Sequence, residues 1–162
     1  MFNRPLKGFT LIELLVVIAI FALIANVTMI SLNKAKRESR DATRMSDINQ
    51  LRSALHLYST ENLSYPAGVD EALGQGSNQI LDNTGWADGS APESPIFMYS
   101  VPRDPKMKGQ TSGAVCTSSS TSVCDYGYTN TGDNNYIIYF YLEGSVGDKA
   151  AGLHTVTKDT IL

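Results

Sequence analysis

The chain is poor in the residues that usually carry catalysis. Among 162 residues there are two histidines, two cysteines and one tryptophan. No G-x-S-x-G, H-E-x-x-H, phosphate-binding loop or G-x-G-x-x-G pattern occurs, so the common hydrolase, zinc-peptidase and nucleotide-dependent sites have no scaffold here. His56 and His154 stand apart, and His56 reads as a surface residue of an amphipathic segment. Charge is scarce as well, at 18%, with a net of −3. A nucleic-acid-binding body is normally basic, so no nucleic-acid partner is expected. No enzyme activity is expected either.

Glycine and proline are absent from Phe9 to Tyr65. With neither breaker present, that stretch has no local reason to turn. Its first part, Phe9 to Ile30, is apolar apart from a single charge at Glu13, with Asn26 and Thr28 as polar interruptions. As a helix this run covers about 33 Å, and a bilayer's hydrocarbon core is about 30 Å thick. An ionised carboxylate inside such a span costs on the order of 3 kcal/mol, so Glu13 needs a partner. One candidate is local. Thr10-x-x-Glu13 fits a capping box, and an acidic group in the first turn suits the helix dipole.

A secretory signal peptide has a shorter apolar core and a small-residue cleavage site, neither of which fits here. A plain signal anchor is the simpler reading of the run. The flanking charges do not orient it, since Lys34, Lys36, Arg37 and Arg40 outnumber Arg4 and Lys7.

Beyond Ile30 the pattern turns one-sided. Ala35, Ala42, Met45, Ile48, Leu51, Leu55 and Tyr58 recur at spacings of three, four or seven, with Arg37, Arg40, Arg44, Asp47 and Arg52 mostly off that stripe. One helix of about 50 residues, roughly 75–80 Å long, is predicted. Its first half suits lipid or copies of itself, and its second half needs a globular domain as cover. The basic cluster Lys34–Arg44 has two readings: an anchor to lipid headgroups, or charge pairing between subunits.

The stretch KGFTLIELLVVIAI resembles the N-terminal signal of type IV pilins and type II secretion pseudopilins. The resemblance implies that residues 1–8 are a leader, cut after Gly8 by a prepilin peptidase that also methylates the new N-terminus at Phe9. It implies that Glu13 pairs with the Phe9 amine of a neighbouring subunit during assembly. The N-terminus would be cytoplasmic, the subunit a single-pass plasma-membrane protein before assembly, and the product an extracellular or periplasmic filament. Implied partners are the peptidase/methyltransferase, other pilins in a homo- or hetero-polymer, and inner-membrane assembly machinery. The expected organisation is 1–8 leader, 9–30 membrane and filament-core helix, 31–65 amphipathic helix, and 66–162 globular domain.

The helix-end pattern Glu61-Asn62-Leu63-Ser64-Tyr65-Pro66 resembles pseudopilin G, with Leu63 where a glycine is usual. Val101–Pro105 resembles the family's proline-aspartate-proline segment entering the sheet. From the residues alone, Ala67–Pro95 reads as a long connecting loop with a weak helical hint at Asp70–Leu73. Trp86 within it reads as a plug for a local core rather than an exposed contact. Cys124–Thr129 and Asn135–Glu143 read as strands joined by a five-residue loop, Asn130–Asn134. The second strand is apolar on both faces and should be central, and Leu153–Thr157 should be an edge strand. The fold class expected is α+β: a pilin fold, one long helix on a small antiparallel sheet.

Cys116 and Cys124, in a Ser/Thr-rich segment of an exported chain, read as a disulfide worth roughly 2–3 kcal/mol in the chain-entropy account. The rival is a metal half-site, for which a second ligand pair is missing. Pseudopilin G proteins bind calcium, and Asp125, Asp133, Asn134 and Asp148 are weak candidates here, but the family's acidic, glycine-rich ending is not found. No cofactor is expected. The functional expectation is a structural subunit of a type IV pilus-like filament. The alternatives are a type II secretion pseudopilin and a monomeric, signal-anchored binding domain.

Overall fold

The computed structural model describes residues 8–110 and 113–159, with the side chain of residue 27 left out. Most of the expected leader, residues 1–7, lies outside the described residues. The uninterrupted run of helix formers produces one helix, α1, over Leu11–Asn62. The chain divides into two units, Met1–Lys36 and Arg37–Leu162.

In the first unit every described side chain is exposed, including Phe9 at 81%, Leu11 at 85% and Ile30 at 74%. Asn26 and Thr28 do not disturb the helix, because their side chains donate back to the carbonyls of Ala22 and Ile24.

In the second unit α1 buries Ile48, Leu51, Ala54, Leu55 and Tyr58. Seven strands follow: β1 (Glu71–Ala72), β2 (Ile80–Asp82), β3 (Gly85–Ala87), β4 (Ile96–Met98), β5 (Gly127–Gly132), β6 (Asn135–Leu142) and β7 (Gly152–Val156). They form two antiparallel sheets, ordered β1-β5-β6-β7 and β3-β2-β4. The architecture is therefore α+β, a long helix packed on antiparallel sheet. Strand β6 is internal to its sheet. It turns Tyr136, Ile138, Phe140 and Leu142 into the core while Ile137, Tyr139 and Tyr141 stay half-buried outside.

Four expectations change. Ala67–Pro95 is not a plain loop, because it contains β1, β2 and β3. Strands of two or three residues are too short to display an alternating pattern, so only their flanking turn residues were visible. The helical hint at Asp70–Leu73 is instead strand β1, paired through Glu71 to Tyr128. The β5–β6 connection is tighter than five residues: Asp133 and Asn134 form a two-residue turn, both at positive φ (49° and 54°), as a type I′ hairpin demands. Finally, α1 stops at Asn62, ahead of Tyr65-Pro66, because Leu63 takes a left-handed conformation with φ 56°.

Trp86, on β3, packs edge-on against Tyr128 with ring centroids 5.0 Å apart, in keeping with the plug reading. Tyr65 meets Tyr136 in the same manner at 4.7 Å. Gly127 opens β5 where a side chain has no room, since a Cβ there would collide with the Cys116 carbonyl oxygen.

Leu63 is 85% exposed and gains nothing from burial that would offset its backbone strain. A left-handed non-glycine residue costs roughly 1–2 kcal/mol, partly offset by the extra unfolded-state freedom of glycine. Leu63→Gly should therefore stabilise the globular unit by about 0.5–1 kcal/mol. Urea denaturation of the full chain in detergent, followed by tyrosine and tryptophan fluorescence, measures it; a lower midpoint contradicts the strain account.

Candidate functional site

Phe9 and Glu13 stand at the N-terminal end of α1, and the local geometry there is a closed capping box. The backbone N–H and hydroxyl of Thr10 both donate to Glu13 Oε2, at 2.9 and 2.8 Å, and the Glu13 N–H donates to the Thr10 hydroxyl at 3.3 Å. Because Glu13 sits in the first turn, its carboxylate also faces the positive end of the helix dipole. The side chain is thus satisfied locally by hydrogen bonds from Thr10, with no ion pair among the described residues. Gly8 and Phe9 precede the helix, exposed.

A second polar assembly, which the sequence reading missed, lies in the globular unit. Arg44 is fully buried. Its Nε and Nη2 donate to Asp104 at 2.7 and 3.0 Å, and its Nη1 donates to Asp41 at 2.5 Å and Glu143 at 3.0 Å. Arg40 adds a forked pair to Glu143 at 2.6 and 2.7 Å. Asp41 also accepts the backbone N–H groups of Glu143 and Gly144, at 3.0 and 2.8 Å. The hydrogen bonds of Arg40 hold Glu143 down to about 2, against the opposing effect of burial and with help from Arg44. Burial works against the charge on Arg44, but Asp104 and then Asp41 and Glu143 outweigh it and raise its proton affinity.

This revises the reading of the basic cluster: Arg40 and Arg44 pair within the chain, and Arg44 is shut away from lipid. The signal existed. Counting back from Ile48 by four and then three residues lands on Arg44 and Asp41, which continue the buried stripe with polar side chains. Below them Tyr126 donates to Asp47 at 2.9 Å, and burial raises the affinity of both groups for their protons.

Cys116 and Cys124 form a disulfide with Cα atoms 5.1 Å apart. The Arg103 guanidinium holds the buried Asp125 beside it through two bonds of 2.9 Å. Asp133 and Asn134 sit in the hairpin turn, whereas Asp148 lies in the connection at the opposite end of β6. Among the described residues no three His, Cys, Asp or Glu side chains gather as a metal group. His56 is exposed, and His154 rests against the Phe140 ring.

The described residues thus comprise an apolar helical stretch with exposed side chains and an acidic residue in its first turn, and, as a separate unit, an α+β domain. Helix α1 is long and apolar enough to cross a membrane. Residues 4–25 match the prokaryotic N-terminal methylation motif. The major component PilA4 of the type IV wide pilus of Thermus thermophilus is 40% identical over 88 residues, covering 54% of this chain and 67% of that protein. The type II secretion system core protein G of Aeromonas hydrophila is 31% identical over 106 residues, covering 64% and 69%. Core protein G of Vibrio cholerae is 25% identical across 92% of this chain and 89% of its own length. No solved structure matches the chain. The chain belongs to the type IV pilin and type II secretion pseudopilin family, whose members are structural subunits of filaments.

Two outcomes follow from the Arg44 assembly. Arg44→Met leaves three carboxylates without their central cation and should destabilise the globular unit by about 3–5 kcal/mol. Arg40→Gln, at a half-exposed pair, should cost about 1 kcal/mol. Urea denaturation ranks the two, and equal losses would contradict a central role for Arg44. Because Glu143 titrates in the folded state near 2 rather than its ordinary 4.5, its contribution is complete above pH 4.5 and fades as the pH falls toward 2. The stability of Glu143→Gln, followed by denaturation at stepped pH, should vary less across that window than wild type.

Proposed function

We propose that this chain is a structural subunit of a type IV pilus-like filament, made as a precursor and cleaved between Gly8 and Phe9 by a prepilin peptidase that then methylates Phe9. The observation that carries the reading is the stretch of α1 up to Ile30: an apolar helical surface whose described side chains are all exposed, of membrane length, with Glu13 as its one charge. Such a surface is stable in lipid before assembly and against other copies of the same helix afterwards.

Cleavage changes the chemistry of the N-terminus. In the precursor the nitrogen of Phe9 is an amide; after the cut it is an amine carrying positive charge. A charged amine from a neighbouring subunit offers Glu13 the counter-ion that Thr10 lacks, at a depth where an uncompensated carboxylate costs on the order of 3 kcal/mol. The capping box then serves as the resting arrangement of an isolated subunit. The peptidase side, with residues 1–8, is cytoplasmic in this reading, and the globular unit is on the far face of the membrane. The role is structural, and the reading assigns it no cofactor.

A second reading is a pseudopilin of a type II secretion system, favoured by the near full-length match to core protein G of Vibrio cholerae. Shearing of intact cells separates the two: a pilus subunit leaves with the sheared surface filaments, and a pseudopilin remains with the envelope.

Mass spectrometry of the protein from cells carrying a prepilin peptidase should find Phe9, methylated, at the N-terminus. An intact Met1 would sink the proposal. Glu13→Ala should be cleaved normally yet reduce filament yield at least about tenfold, in line with loss of an ion pair worth more than 1.4 kcal/mol. Electron microscopy of sheared material gives the count.

A further inference from the structure

The charges around Arg44 leave one cation over. Arg40, Arg44 and Lys106 face Asp41, Asp104 and Glu143, three against three. One turn before Arg40 on α1 stands Arg37, exposed, with no hydrogen bond or ion pair among the described residues. It borders a cleft of about 340 Å³ that Lys106, Thr121, Ser122, Tyr141 and Glu143 also line. Glu143 is the acidic member of that set, and it is already spent. Its Oε1 accepts from Arg40 and Arg44, and its Oε2 accepts from Arg40 and lies 3.5 Å from the Lys106 ammonium.

We propose that this cleft is an oxyanion site that takes a phosphate group, either free or on a lipid headgroup. The arrangement supplies what a phosphate needs. A guanidinium offers forked donors, the ammonium a compact charge, and the hydroxyls of Thr121 and Ser122 neutral donors at the rim. The disulfide between Cys116 and Cys124 closes the segment that carries both hydroxyls, which limits how far they can stray. Arg37 comes seven residues after Ile30, in the stretch where a membrane-anchored chain leaves the bilayer and meets headgroup phosphates. The lipid source rests on the membrane anchoring proposed above; the phosphate chemistry does not.

The test uses the full chain with labelled arginine, first in a non-ionic detergent and then in nanodiscs. In detergent, titration with inorganic phosphate should give a saturable shift of the Arg37 Nε–H resonance. Sodium chloride at matched ionic strength should not. Lys106→Gln should raise the half-saturating phosphate concentration about tenfold, the loss expected for one charge-assisted contact. Arg52→Gln, a cation elsewhere on α1, should leave it unchanged. In nanodiscs of phosphatidylglycerol the shift should be present before any phosphate is added, identifying the lipid as the source. A shift that needs added phosphate even there identifies the free anion. The same response to chloride as to phosphate, or equal responses in wild type and Lys106→Gln, overturns the site. Circular dichroism confirms that each variant is folded; Lys106 is exposed and Arg52 half-buried, and neither belongs to the apolar core.

Discussion

The globular unit is organised by the need to compensate one buried cation. A guanidinium removed from water is tolerable only with its donors occupied and its charge balanced. Arg44 meets that requirement by drawing on three separate segments: Asp41 on its own helix, Asp104 beyond β4 and Glu143 at the end of β6. Ion pairs of this kind add little net stability over an apolar replacement of the same shape. Their effect here is on register. A shift of α1 by one residue would turn Arg44 about 100° away from Asp104 and Glu143 and leave Asp104 buried without its cation. The cluster thus sets the same register as the buried Ile48, Leu51 and Leu55, which lie on the same face of α1.

The N-terminal unit answers to the opposite constraint. Its described side chains are all exposed, and the one charged group between Phe9 and Ile30, Glu13, closes on Thr10. Self-closure and the pairing proposed above are compatible because they use different features of the same carboxylate. Thr10 supplies hydrogen bonds without neutralising the charge.

What was legible in the sequence divides along physical lines. The long helix was plain, because 57 residues without glycine or proline, from Phe9 to Tyr65, leave little choice. The hairpin strands were plain too, since β6 has eight residues in which to show its character. The three-stranded sheet was hidden because its strands have three residues each, fewer than a pattern requires. The helix end was misplaced because the stop comes from the backbone of Leu63, a residue type that rarely adopts that conformation. Arg44 was assigned to the outer face on polarity alone, although its spacing from Ile48 placed it inside. The residues of the N-terminal motif were readable as a motif, but the closed state of Glu13 against Thr10 needed coordinates.

The paired geometry around Glu143 has a mechanical side. Arg40 grips Glu143 through two parallel bonds and Arg44 grips Asp104 through two more. Bonds that share a load in parallel must rupture together, whereas bonds met one after another open like a zip. A pull along α1 would reach the β-sheet through these clamps as well as through the apolar core. Under such a load the two forked pairs would resist as a shear fastening, both bonds of each pair having to break at once.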